Sequence, residues 1–257
     1  MALQAFGGGR VFGMASGPAP FRVLALPGWM HTVTDWNQTL ARLAAQDIGG
    51  VALDLPGFGG AMPEPAEAMG SAGYAAVVAP VLEDLAAAGG PLVVVGHSFG
   101  GRVALHLAAE HPGAVAALVL TGVPKLVAST APSTKPAIGY RVARALNRRG
   151  LLPDARMEEV RKKSGSADYR NASSVTMRNV LVTVTNENYE EQLRASSCPI
   201  ELVWGEVDTA APLDVATHAA ILVGDRATLT VLPGIDHFTP VKAAEALAAA
   251  ITRHLSA

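Results

Sequence analysis

A chain of 257 residues, half of them hydrophobic and 16% charged, has enough apolar material for one large core, and its formal charge of −2 gives no global attraction to nucleic acid. It has no continuous apolar run near the ~18 residues a membrane span requires, and its first ten residues lack the charged lead and apolar stretch of a signal peptide. Cys198 is the only cysteine, which excludes an internal disulfide and a cysteine-held metal, and the expected setting is cytoplasmic.

Along the chain, residues 21–26 form an apolar run stopped by Pro27-Gly28 and read as a strand. Residues 35–45 read as a helix with Thr34 or Asp35 as its cap, and residues 50–55 as a strand closed by Pro56-Gly57-Phe58-Gly59. An alanine and valine helix is expected over 74–87. Val93-Val94-Val95 is then a β-branched run of the kind buried on both faces of a parallel sheet, and it passes through Gly96-His97-Ser98-Phe99-Gly100-Gly101 directly into an apolar helix. Strands follow at 115–121, 200–204 and 228–232, and a closing helix at 240–254. Strands and helices in alternation call for a mostly parallel α/β sheet with helices on both faces and the functional loops gathered at the strands' carboxyl ends.

Residues 124–190 interrupt the alternation. They carry twelve Lys and Arg against six Asp and Glu, a charge of +6 that leaves −8 on the rest of the chain. We expect 1–123 and 191–257 to form the core and 124–190 a helical lid inserted after the strand ending near Thr121. Two uses of its cations stay open: solubility of a solvated helical excursion, or contact with an anionic substrate or carrier such as a phosphorylated thioester.

Chemistry is expected at Ser98. A serine at the tip of so tight a strand-to-helix turn needs small neighbours, which Gly96 and Gly100 supply, and the turn lifts its hydroxyl clear of the sheet. A neutral hydroxyl needs a base, and the base an orienting carboxylate. Of the seven histidines, His237 stands in the loop after the last strand, which opens over the elbow. Asp208, in the loop after the preceding strand, is placed to reach it. Glu206 stands too close to its strand end, and Asp236 adjoins the histidine and diverges from it. Cys198, before Pro199, reads as a core-edge residue.

The elbow Gly-His-Ser-Phe-Gly-Gly, the Trp204-Gly-Glu-Val-Asp208 and Gly234-Ile-Asp-His237 loops, and Asp54-Leu-Pro-Gly-Phe-Gly59 together resemble the α/β-hydrolase family over nearly the whole chain outside the insertion. The resemblance implies the order Ser98, Asp208, His237 for nucleophile, acid and base, and an oxyanion hole from the Trp29 and Phe99 backbone amides. The family's usual His-Gly after the first long strand is replaced by Pro27-Gly28-Trp29-Met30. Gly28, Met30, His31 and His97 are expected around the substrate. The implied activity is hydrolysis of a small-molecule ester, as a carboxylesterase, with no metal or organic cofactor. A thioesterase is the runner-up. Amidase, carbon–carbon hydrolase and perhydrolase activities keep the same serine, and a ligand-binding receptor with a slow triad is the alternative of another class. Oligomeric state is not legible.

Overall fold

The computed structural model describes residues 3–59, 62–127, 138–164 and 166–255. In chain order the elements are β1 (Leu3–Phe6), β2 (Val11–Ser16), β3 (Val23–Leu26), α1 (Asn37–Ala44), β4 (Gly50–Leu53), α2 (Ser71–Gly89), β5 (Leu92–His97), α3 (Phe99–Glu110) and β6 (Val115–Thr121). Then come α4 (Ile138–Arg148), α5 (Asp154–Ser164), α6 (Ala167–Asn171), α7 (Val175–Asn186), α8 (Glu190–Ala195), β7 (Ile200–Gly205), α9 (Leu213–Val223), β8 (Ala227–Leu232), α10 (Thr239–Lys242) and α11 (Ala244–Leu255).

The eight strands form one sheet in the order β1-β2-β4-β3-β5-β6-β7-β8. It is antiparallel from β1 through β2 to β4 and parallel from β4 to β8. The central strands are buried on both faces, so side chains alternate between two apolar layers. Leu24, Leu26, Leu92, Val94, Leu118 and Leu120 face the larger core under α2 and α3. Val23, Ala25, Val93, Val95, Ala117 and Val119 face the smaller one under α1 and α11. Truncating a leucine in either layer is expected to cost ~2–5 kcal/mol.

Four elements differ from the sequence reading. Residues 3–16 fold back as a β1–β2 hairpin on the edge of the sheet. The helix expected from residue 35 begins as a 3-10 turn over Val33–Trp36, and Thr32 caps it by accepting the Thr34 N–H at 3.3 Å. Asp35, expected as a cap, instead pairs with His31. The closing helix is broken between α10 and α11, where Ala243 has φ −136°. Finally, α2 is long and apolar enough by composition to cross a membrane, which the absence of an 18-residue apolar run did not foresee. In the fold it lies on the sheet, with Tyr74, Ala75, Val78, Val81 and Leu82 buried.

Between β6 and β7 the described residues form five helices. Met177, Val180, Leu181 and Val184 of α7 and Leu193 of α8 join the larger core. Polar ties hold the same region: the buried Arg102 donates to the Val184 carbonyl at 2.7 Å and lies over the Tyr189 ring, and Lys125 donates to the Thr185 carbonyl. Outward from these, α4 and α5 present Arg141, Arg144, Arg148, Arg156, Lys162 and Lys163 to solvent.

Candidate active site

The parallel strands bring the loops after β3, β5, β6, β7 and β8 to one edge of the sheet. At the end of β5, Ser98 has φ 49° and ψ −109°, a left-handed φ that costs a non-glycine residue ~1–3 kcal/mol and persists only when its surroundings enforce it. The enforcement is steric. A Cβ on Gly96 would lie 2.5 Å from the Gly101 Cα, one on Gly100 would run into the Leu26 carbonyl, and one on Gly101 would run into Val123. The Ser98 N–H donates to the Thr121 carbonyl at 2.9 Å, which fixes the turn to the end of β6.

His237 follows β8, and its Nδ1 lies 2.8 Å from Asp208 Oδ2. The Asp208 side chain is fully buried, and its Oδ1 accepts the Ala210 and Ala211 amides at 2.9 and 2.8 Å. A carboxylate so held accepts, which puts the imidazole proton on Nδ1 and leaves a lone pair on Nε2. Gly122 makes room for the pair: it has φ +58°, and a Cβ there would lie 3.0 Å from His237 Nδ1 and 3.2 Å from Asp208 Oδ2. Gly122 directly follows Thr121, the residue that accepts the Ser98 amide, so the imidazole and the elbow share one support. No hydrogen bond joins the Ser98 hydroxyl to His237 among the described residues. The competing carboxylates are engaged elsewhere. Glu206 accepts the Gly234 amide at 3.0 Å, and Asp236 accepts from Phe238 N–H and Lys242 Nζ at 3.1 and 2.6 Å.

After β3, the His31 amide donates to the Gly28 carbonyl at 3.1 Å and Met30 has φ 58°, the geometry of a type II turn with Trp29 and Met30 at its centre. The Trp29 ring meets Phe58 and Phe99 edge-on at 5.2 and 5.7 Å. Neither the Trp29 nor the Phe99 amide donates to a protein acceptor among the described residues, and Phe99 opens α3, where the first amides have no partner within the helix. Met30 is exposed, and His31 is half-buried with Nδ1 2.6 Å from Asp35 Oδ2. That bond holds the His31 imidazole above the ordinary histidine range against the opposing effect of burial, and Asp168 of α6 adds to it. Phe238, 42% exposed, stands 5.7 Å from His31.

Two of the expected lining residues are buried. Gly28 is buried against the His97 ring, and His97 itself is 1% exposed with Nε2 2.8 Å from the His237 carbonyl. Sequence reasoning did not reach Gly122 or the His97 bond. The left-handed glycine after β6 carried a signal of its own in Thr121-Gly122, but the partner of His97 lies 140 positions away. No group of three or more His, Cys, Asp and Glu close enough to hold a metal ion occurs among the described residues. Cys198 is half-buried, and burial raises its thiol above the ordinary range.

The sheet order, the strained serine between glycines and the His237–Asp208 pair have the architecture of the α/β-hydrolase fold. Residues 23–250 match the model of the Alpha/beta hydrolase family, and the chain belongs to that family. It is 46% identical to Lipase LipV of Mycobacterium tuberculosis (strain ATCC 25618 / H37Rv) over 110 residues, 41% of this chain and 37% of that lipase. Among solved structures it is similar to the thioesterase domain from the curacin biosynthetic pathway (21% identity, 98% of both chains, TM-score 0.69). It is likewise similar to a thermophilic esterase from Thermogutta terrifontis (21% identity, 96% of this chain and 93% of that one, TM-score 0.68).

Proposed function

We propose that the protein is a serine hydrolase that cleaves a carboxylic ester of a small molecule through an acyl-enzyme on Ser98. The observation that carries this reading is the His237–Asp208 pair, packed against Gly122 beside a serine in left-handed geometry. In this mechanism the Ser98 hydroxyl attacks the ester carbonyl while His237 Nε2 takes its proton, and Asp208 stabilises the imidazolium. The unpartnered Trp29 and Phe99 amides receive the oxyanion, each such donor being worth ~3 kcal/mol in the transition state. The imidazolium then returns its proton to the departing alcohol, and water repeats the cycle on the acyl-enzyme. A serine nucleophile is supported over a silent receptor by the strain stored at Ser98, since a turn that only connected β5 to α3 would not need it. In the same reading 124–190 is the lid over this site, 1–123 and 191–257 are the core, and the setting is cytoplasmic.

A serine-directed fluorophosphonate should label the protein at Ser98, and Ser98→Ala should abolish both labelling and hydrolysis. A panel of p-nitrophenyl esters of rising acyl length, run beside one acyl-thioester, separates esterase from thioesterase. Labelling absent from the wild type, or hydrolysis retained by Ser98→Ala, rejects the mechanism.

A further inference from the structure

Three parts of the candidate site meet on one ring that the mechanism does not use. His97 immediately precedes the proposed nucleophile, and its imidazole is buried. Its Nε2 stands 2.8 Å from the His237 carbonyl oxygen, on the loop that carries the proposed base. A carbonyl only accepts, so Nε2 bears the proton and Nδ1 is left as a lone pair. That Nδ1 has no partner, and it faces the oxyanion turn so closely that a Cβ on Gly28 would lie 2.7 Å from it. The centroid of the His97 ring is 4.8 Å from that of His237.

We propose that His97 is a positioning residue: its Nε2–H holds the backbone of His237 in register with the Ser98 elbow, while its ring sets the height of the Gly28–Trp29 turn. The proposal deepens the serine-hydrolase reading and rests on it. The need is visible in how the base loop is tied. Glu206 N–H to Leu232, Val207 N–H to Ile235 and Gly234 N–H to Glu206 all bind the loop to the β7 side. Among the described residues the His97 bond is the one hydrogen bond from residues 233–238 to β5, the strand that delivers the serine. Without it, the base and the nucleophile are referred to each other only through β6.

The ring must also stay uncharged, because an imidazolium on His97 would oppose the imidazolium formed on His237 during acyl transfer. The groups that act on it are His237, His31 and Asp35. Burial first, then the charge of His237, push the His97 imidazole down to about 3, and neither the His237 carbonyl nor Asp35 reverses this. It therefore donates without ionising at every pH at which such an enzyme works. It occupies a place beside the oxyanion turn where this sequence has no His-Gly pair to brace the loop.

Two variants test this. His97→Gln keeps a neutral N–H donor at similar reach, and His97→Leu keeps volume but no donor. For a p-nitrophenyl ester, His97→Leu should lower kcat by ~10–100-fold, as small misplacements of reacting groups do, with KM nearly unchanged and the acid side of the kcat/KM pH profile displaced. His97→Gln should recover most of kcat and the wild-type profile. Equal losses in both variants, or a wild-type rate and profile in His97→Leu, overturn the proposal. Should neither variant fold, nitrogen-15 spectra of the wild-type histidines decide it: His97 should remain the neutral Nε2–H tautomer from about pH 5 to 8, and a protonated ring or the opposite tautomer overturns it. Ser98→Ala serves as the separate control, since hydrolysis in that variant defeats the serine mechanism itself, whatever His97 does.

Discussion

At the scale of single residues, the chemistry turns on which group holds a proton. Asp208 keeps the His237 proton on Nδ1, and Asp208→Asn preserves shape while favouring the wrong tautomer; turnover should fall by ~10⁴, read as kcat on a p-nitrophenyl ester at constant KM. His97 adds a stability effect of definite sign. Unfolded, it takes a proton near 6.5; folded, it resists to about 3. Its stabilisation is therefore fully present above pH 6.5 and is lost as the pH falls toward 3, because the unfolded chain binds the proton that the fold refuses. His31 works the other way, its raised affinity favouring the fold on the acid side and fading as the pH rises through its folded value. Urea midpoints measured between pH 7 and 5 should fall with pH in the wild type and fall less in His97→Gln; an unchanged slope in that variant rejects a neutral, buried His97 as its source. The places of Ser98, Asp208 and His237 beyond the carboxyl ends of β5, β7 and β8 were legible in the sequence because each follows its strand within a few residues, so chain position alone locates it in space. His97 was expected around the substrate, and the carbonyl that it meets, 140 positions away, is announced by no local pattern.

At the scale of elements, the strands were the most legible part, since β3, β5 and β6 are apolar on both faces and stopped by Pro, Gly or Thr-Gly. The β1–β2 hairpin was missed although Gly7-Gly8-Gly9 marks its turn, because β1 lies at the sheet edge, mostly exposed, and has no apolar alternation to display. The elbow is the element whose geometry is most tightly enforced. Gly100→Ala would push a methyl group into the Leu26 carbonyl, backbone against backbone, so a loss of ~1–3 kcal/mol in unfolding free energy is expected together with slower fluorophosphonate labelling of Ser98. A second element depends on a residue from outside it. Gly70, at the N-terminus of α2, has no side chain to cap the helix, and Glu187 does so from the end of the inserted helices, accepting from Ser71 N–H at 3.3 Å and from Ser71 Oγ at 2.7 Å. Tyr189 donates to the same carboxylate at 2.7 Å. Glu187→Ala should cost ~1–2 kcal/mol and loosen the seam between α2 and α7, which limited proteolysis followed by mapping of the cleavage sites would report. Cleavage unchanged from the wild type would show that the apolar contacts of Met177 and Val180 suffice alone.

At the scale of the whole molecule, the two halves of the charge are separated: the region between β6 and β7 carries +6 and the remainder −8. Within that region Arg141, Arg144, Arg148 and Arg156 are exposed on α4 and α5, while Met177 and Val180 of α7 and Leu193 of α8 join the core. The charge of Asp168 on α6 nonetheless acts on His31, so the insertion lies within electrostatic reach of the turn after β3. A field of this kind steers charged ligands over distances that salt controls: the screening length is ~30 Å at 0.01 M and ~8 Å at 0.15 M. If the insertion's cations meet the substrate, kcat/KM for an ester bearing a carboxylate on its acyl chain should fall several-fold across that range, while a neutral ester of equal length should be nearly indifferent. Reversing charge at Arg144 and Arg148, both exposed on α4, should remove most of the difference without altering kcat for the neutral ester. Equal salt responses for the two esters would assign those arginines to solubility alone, and the preference for acyl group would then have to be sought at uncharged side chains such as the exposed Met30 and Phe238.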